Sequence, residues 1–386
     1  MHIDFNASER SSLGVEMELE VVDLSTRELR SAATEVLAAM GEGHLGGEHP
    51  KAKHELFEST VEIITGVCTT VAEARADLEA TLATLGGLCA PRGLGLMCSG
   101  SHPFTHWATQ QVSPNPRYHR LVEEMQWLAR RLQIFGIHVH VGVRSAEKAI
   151  AIANGLLAYL PHLLAVSASS PYWMGQDTGL ASCRSKVFES LPMAGLPHQL
   201  ADWGEFERFM TTLVRSKAIT SIREVWWDIR PHPDFGTVEL RVCDGLPRLS
   251  EVAAVAALTQ CLVEWMDGAY DRGHPRAAPR PWIVRENKWK AARYGMEAEI
   301  IVDEHGNLRP LRDELAGLVE ELAPVARGLG CADELAQVAV LVAEGPSYVR
   351  QRALVADGAE LSDVVDALVE ELRTDRAVVP GRARLG

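Results

Sequence analysis

Gly14-Val15-Glu16-Met17-Glu18-Leu19-Glu20 alternates acid with hydrocarbon, and the reading of this stretch decides the architecture around it. Successive side chains of a β-strand point to opposite faces, so Glu16, Glu18 and Glu20 share one face and Val15, Met17 and Leu19 the other. Like charges spaced about 7 Å apart repel one another, so such a face persists only in open water or around a cation. Taken alone, the segment fits a solvated edge strand as well as a metal site.

Three more segments repeat the pattern. In Glu55-Leu56-Phe57-Glu58-Ser59-Thr60-Val61-Glu62 the β-branched residues predict a strand over Leu56–Ile64, with Glu58, Thr60 and Glu62 on one face and Glu55 just before it. The acids at 55, 58 and 62 also match helical spacing, which leaves a helix start as the alternative. Phe135-Gly136-Ile137-His138-Val139-His140-Val141-Gly142 predicts a strand over Ile134–Val143 whose histidine face is flanked by glycines that let a ligand approach the backbone. Its H-x-H pair suits a metal site or two hydrogen-bonded histidines. Thr237-Val238-Glu239-Leu240-Arg241-Val242-Cys243-Asp244 places Glu239 and Arg241 together, as a surface ion pair or as a fork for a substrate carboxylate.

Four strands distant in sequence, counting Val15–Val22, each carry one apolar and one charged or imidazole face. A common sheet whose concave side holds cations accounts for all of them. Carboxylate-rich ligation points to magnesium or manganese, and a bound polyphosphate is the usual reason for such a cluster. Neither a P-loop nor a dinucleotide glycine motif occurs.

Helical periodicity covers Val71–Leu88, opened by a Thr70/Glu73 capping box, and Pro116–Leu132, Ala146–Ser167 and Leu249–Met266. Beyond the Pro- and Arg-rich stretch Asp271–Pro281, amphipathic helices are expected at Leu311–Arg327 and Leu361–Leu372. Short strands among long helices, without a regular β-α-β rhythm, give an α+β class with an antiparallel sheet. The expected division is a body over 1–270 and a continuation over 271–386, integrated into one domain. Ser169–Gly179, rich in Ser, Gly and Pro, is a candidate lid.

Composition narrows the class further. The 386 residues are 47% hydrophobic and 23% charged, as in globular proteins, and 52 acids against 38 bases give a net charge of -14 that disfavours nucleic acid. The start lacks a basic and apolar leader. Asn154, Gly155, Pro161 and His162 interrupt the apolar run Ala149–Ala168, so it reads as a buried helix pair and not a membrane span. Seven cysteines without a C-x-x-C pair suit free thiols in a reducing cytoplasm.

The four strand segments, together with Arg285-Glu-Asn-Lys288-Trp-Lys-Ala-Ala-Arg293-Tyr-Gly295, resemble the glutamate–cysteine ligase type 2 (carboxylate–amine ligase) family over almost the whole chain. The resemblance implies a glutamine-synthetase-like fold, a curved antiparallel sheet forming a funnel with helices on its outer face. It implies an ATP-dependent ligase joining the side-chain carboxylate of glutamate to an amine, with cysteine the first choice, through a γ-glutamyl phosphate. By the same likeness Glu16, Glu18, Glu62 and Glu239, with Glu55, hold Mg2+ or Mn2+, and His138 and His140 border the nucleotide or metals. Arg241 binds the glutamate carboxylate, while Arg184, Arg285, Lys288 and Arg293 contact phosphates or the transferring phosphoryl group. The family's first motif more often reads E-E-E-F. Met17 and Leu19 replace two of its residues here, both on the face away from the ligands. Competing readings are a ligase of this fold with another amine or acid, a zinc hydrolase built on His138 and His140, and a nucleotide-binding protein without catalysis. Small-molecule substrates are the expected partners, and a homodimer is left open.

Overall fold

The computed structural model describes residues 2–380. Its centre is an antiparallel sheet of seven strands, β1 (Leu13–Asp23), β2 (Ala52–His54), β3 (Thr60–Ile64), β4 (Leu94–Met97), β5 (Ile137–Gly142), β6 (Ile229–His232) and β7 (Thr237–Leu240). They are ordered β2-β3-β1-β5-β7-β6, with β4 beside the C-terminal part of β1. The eleven residues of β1 organise the sheet because β5, β3 and β4 pair with successive parts of it.

Alternation along β1 holds. Val15, Met17, Leu19 and Val21 are at most 1% exposed and share a core with Ile137, Val139, Val141, Val238 and Leu240. Helices Val71–Cys89, Ala146–Leu156 and Leu249–Asp271 cover this face. Each such side chain contributes about 1.5–3 kcal/mol on burial. A one-residue slip would turn all of them outward, so the register is strongly specified.

Among the described residues one helix, Leu249–Asp271, is long and apolar enough to cross a membrane, and it is the buried central helix of the core. The run Ala149–Ala168 forms the expected helix pair, Ala146–Leu156 and Leu160–Ser167, bent by 65°. Helices Leu311–Leu329 and Ala332–Glu344 pack on Leu249–Asp271, and Leu361–Thr374 packs on β4.

Several boundaries differ from the pattern-based expectation. The strand expected from Leu56 begins only at Thr60, because Leu56–Ser59 forms a turn. Glu58 therefore leaves the face of Glu62 and accepts hydrogen bonds from Thr34 N (3.2 Å) and Thr34 Oγ1 (2.6 Å), capping helix Ala33–Gly41. The helix over Pro116–Leu132 is broken. Pro116–Met125 ends where Gln126 takes a left-handed φ of 49°, and a single turn, Trp127–Arg130, follows. Ser169–Gly179 holds a small hairpin tied down by Arg352 to Asp177 (2.8 Å) and by Gly175 N to Pro103 O (3.0 Å), away from the cavity described below.

Glu20 also departs from its predicted companions. It is fully buried, and Oε1 accepts from Ser99 N (3.1 Å) and Ser99 Oγ (2.8 Å) while Oε2 has no partner. Burial pushes its carboxyl up to about 8, against the bonds from Ser99. The unfolded chain releases this proton near pH 4.5, so stability is lost as pH rises from there through about 8. Glu20→Gln removes the titration and keeps the acceptor. The variant's melting temperature, followed in chelator, is expected to gain several degrees on the parent's between about pH 6 and 9. Parallel pH curves for the two proteins would contradict the assignment.

Candidate active site

The polar face of the sheet floors a cavity of about 540 Å³. Strand register dictates what lies there. Glu18 sits opposite Glu62, Glu16 opposite His138, and His140 opposite Glu239. Lys53 opposite Glu62 and Arg230 opposite Glu239 extend the row at its two ends. Glu55, just past β2, reaches into the same cavity.

Ligand atoms of these residues fall into three sets, each within 4.8 Å, namely Glu18/Glu55/Glu62, Glu16/Glu62/His138 and Glu16/His140/Glu239. Glu62 joins the first two sets and Glu16 the last two, so they form one continuous track.

Burial raises Glu18, Glu55 and Glu62 above the ordinary carboxylate range, and neighbouring acids push each one further. Burial opposes ionisation of Glu16 too, but the hydrogen bond to His138 Nδ1 (3.1 Å) and the nearby His138, His140 and Lys53 bring it down. His138 itself is lowered to about 4, chiefly by burial and then by Arg241, while its bond to Glu16 opposes the shift. Glu239 lies well below the usual range, because Arg241 and Arg230 outweigh its burial.

The residues fit divalent cations on this evidence. His140 Nδ1 is bonded to Thr237 Oγ1 (3.0 Å), and its buried Nε2 lacks a hydrogen-bond partner while lying 3.7 Å from both Glu16 Oε1 and Glu239 Oε1. An unpartnered buried nitrogen aimed between two carboxylates is what a shared cation satisfies. Each histidine belongs to a set with two carboxylates, and the third set is all oxygen. Such donors favour magnesium or manganese and weaken the zinc-hydrolase alternative.

Cationic side chains already compensate part of the charge. Lys53 Nζ is 2.8 Å from Glu62 Oε2, and Arg230 holds Glu239 Oε2 at 2.8 and 2.6 Å. Arg241 pairs with Glu239 Oε1, the oxygen that also faces His140. Arg184 lines the cavity, bonds the carbonyls of Arg241 and Val242 at 3.3 Å, and lies across Gly136. A Cβ on residue 136 would meet its Nη2 at 2.2 Å and the Cys243 carbonyl oxygen at 3.0 Å, so a side chain there would displace the guanidinium.

Three other basic residues named from the sequence do not line this cavity. Lys288 is buried in ion pairs with Asp228 (2.6 Å) and Glu189 (2.5 Å), off the cavity lining. Arg285 is exposed on helix Pro281–Tyr294, whose buried face runs through Val284, Lys288 and Ala291. Arg293 donates to Gly179 O and lies over the Tyr294 ring.

The sequence reading passed over Lys53 and Arg230, and also the mouth. One rim carries Arg117, Tyr118 and Arg120 on helix Pro116–Met125; the other carries Arg223 and Phe235, which stacks on His232 at 4.2 Å. Lys53 and Arg230 sit in strands of three and four residues, too short for alternation to register. The mouth residues come from segments with no strand pattern to mark a face.

A family model described as glutamate-cysteine ligase family 2 matches residues 12–371. Proteins of Frankia casuarinae and Frankia alni, both named "Putative glutamate--cysteine ligase 2-1", are 58% identical over 99% of this chain and 100% of theirs. A Thermobifida fusca protein is 52% identical over 98% of this chain and 95% of its own length. Among solved structures, glutamate–cysteine ligase of Francisella tularensis in complex with AMP superposes with a TM-score of 0.67 at 13% identity, covering 96% of this chain and 90% of that one. A bifunctional glutathione synthetase from Pasteurella multocida gives 0.68 at 15% identity, over 95% of this chain and 52% of the larger protein. Those two share the fold, and the sequence match shows that the chain belongs to glutamate–cysteine ligase family 2.

Proposed function

We propose that this chain is an ATP- and magnesium-dependent ligase that joins the γ-carboxylate of glutamate to the amine of cysteine. The observation that carries the reading is the continuous track of Glu16, Glu18, Glu55, Glu62, Glu239 and the two histidines, flanked by Arg184 and Arg241 in one cavity. Five carboxylates are costly to gather in a partly dry site unless divalent ions and a polyphosphate complete them. Bound magnesium would neutralise the triphosphate and the charge that develops on the transferring phosphoryl group.

The glutamate γ-carboxylate attacks the terminal phosphorus of ATP, the bond to ADP breaks, and γ-glutamyl phosphate forms. The amine then attacks its carbonyl carbon, phosphate leaves, and the nitrogen loses a proton as the amide forms. Arg241 exchanges Glu239 for the α-carboxylate of the incoming glutamate, in the bidentate manner guanidinium favours. Arg184 stabilises the developing oxyanion from its fixed seat over Gly136. Lys53 offsets the charge of Glu62.

Trapping tests the reading. Incubation with ATP, magnesium, glutamate and hydroxylamine is expected to give γ-glutamyl hydroxamate and ADP, and chelation of the metal should abolish both. Failure to form hydroxamate from glutamate or any other acid offered would refute the ligase assignment.

A further inference from the structure

We propose that Arg117 and Arg120, on the helix that roofs the Glu18/Glu55/Glu62 end of the cavity, grip the carboxylate of the acceptor amino acid and so select it over simple amines. The inference rests on the ligase reading above and names the residues that recognise its second substrate.

Charge balance leaves three cavity arginines without an ion pair among the described residues, Arg117 and Arg120 together on one rim and Arg223 alone on the other, and only the first two can form a double fork. On the cavity floor Arg230 and Arg241 are paired with Glu239, and Arg184 is bonded to main-chain carbonyls. Arg117 and Arg120 both line the cavity and are exposed, and neither has an ion pair among the described residues. Their three-residue spacing puts them on one side of helix Pro116–Met125, so two guanidinium forks face the same space. Unpaired arginines beside a strongly acidic floor suit an incoming anion that would otherwise be repelled.

Position along the track assigns that anion. Tyr118, between the two arginines, donates to His54 O at 3.1 Å and feels the charges of Glu55, Glu62 and Glu18. The helix therefore overhangs the Glu18/Glu55/Glu62 set. The opposite rim carries the exposed ring of Phe235 stacked on His232, a platform suited to a purine, beside the His140/Glu239 set. A nucleotide seated there directs its terminal phosphate along the track, and the acyl phosphate is left open toward Arg117 and Arg120. Leu121, Met125, Leu132 and Ile134 line the cavity at this end and give an apolar bed for a small side chain such as a thiol-bearing one.

Helix Pro116–Met125 has no buried residue and ends at the left-handed Gln126. It is anchored by Asn115 Oδ1, which accepts from Arg117 N at 2.9 Å, and by Tyr118. Few apolar contacts hold it, so the arginines can close on a carboxylate without disturbing the sheet.

The test compares cysteine with cysteamine, the same amine lacking the carboxylate, as acceptors with ATP, magnesium and glutamate. The parent is expected to favour cysteine in kcat/KM by at least about a hundredfold, the scale of a lost charge-assisted fork. In the double variant Arg117→Gln, Arg120→Gln this ratio is expected to fall at least tenfold, mainly through the KM for cysteine, while lysines at both positions retain part of it. A parent that does not distinguish the two amines, an undiminished ratio in the double variant, or a rise in the KM of glutamate with the ratio intact would each overturn the inference. Hydroxamate trapping run on the parent in parallel separates the cases. If it fails, the ligase reading falls and this inference with it; if it succeeds, a negative acceptor result sinks the acceptor site alone.

Discussion

Glu16→Gln is expected to lower the rate of γ-glutamyl hydroxamate formation by about a thousandfold or more at saturating magnesium. Glu16 belongs to two of the three ligand sets, so one substitution weakens both. The amide keeps the shape of the side chain and can still bond His138, but it carries no charge and is a poor partner for a hard cation. Melting temperature in chelator should shift by only a few degrees. Glu62→Gln makes the complementary case. Burial and three neighbouring acids raise its carboxyl, so the amide should stabilise the metal-free protein while activity falls as steeply. Near-parental turnover in either variant would show that the track is not the reaction centre.

The second large effect concerns stability. Arg350 is buried and holds Glu371 in a bidentate pair at 2.8 and 2.9 Å, with Glu251 at 2.9 Å. It thereby ties helices Ser347–Ala356 and Leu361–Thr374 to the central helix Leu249–Asp271. Arg350→Met leaves Glu371 buried with only the donation from Val378 N, although Glu251 keeps Arg248. Removing one partner of a buried pair costs about 3–5 kcal/mol, which urea denaturation will show as a lower midpoint. Adding Glu371→Gln should recover a substantial part, because the stranded charge is gone. Arg350 does not line the cavity, so turnover per folded molecule should persist at low temperature. A loss below about 1 kcal/mol would mean that water reaches the site and relieves the unpaired carboxylate.

The site was legible wherever a strand was long enough to alternate. β1 and β5 print their two faces directly in the sequence, and antiparallel register then brings Glu16 to His138 and Glu18 to Glu62. Glu20 follows the same alternation, but β4 pairs beside it at Met97, and the next residue but one, Ser99, holds its carboxyl in the interior. Glu58 was misplaced because local periodicity says nothing of the helix terminus waiting at Thr34. The basic residues of helix Pro281–Tyr294 illustrate another limit. Charge marks Lys288 as functional or buried with equal force, and only tertiary packing reveals Asp228 and Glu189 beside it. Arg117 lies in a stretch whose helical period was legible, but the period does not say that this helix overhangs the sheet, and Arg223 sits in a short turn without a pattern.

The ion-holding groups stand mostly in strand interiors, whereas the walls of the cavity mouth come from a loosely seated helix and a loop. Activation chemistry is thus welded to the hydrocarbon core, since an insertion or deletion within β1 or β5 would scramble both at once. Substrate choice is detachable. Laboratory evolution toward new amide products should accumulate its successful changes around residues 116–125 and leave the sheet untouched.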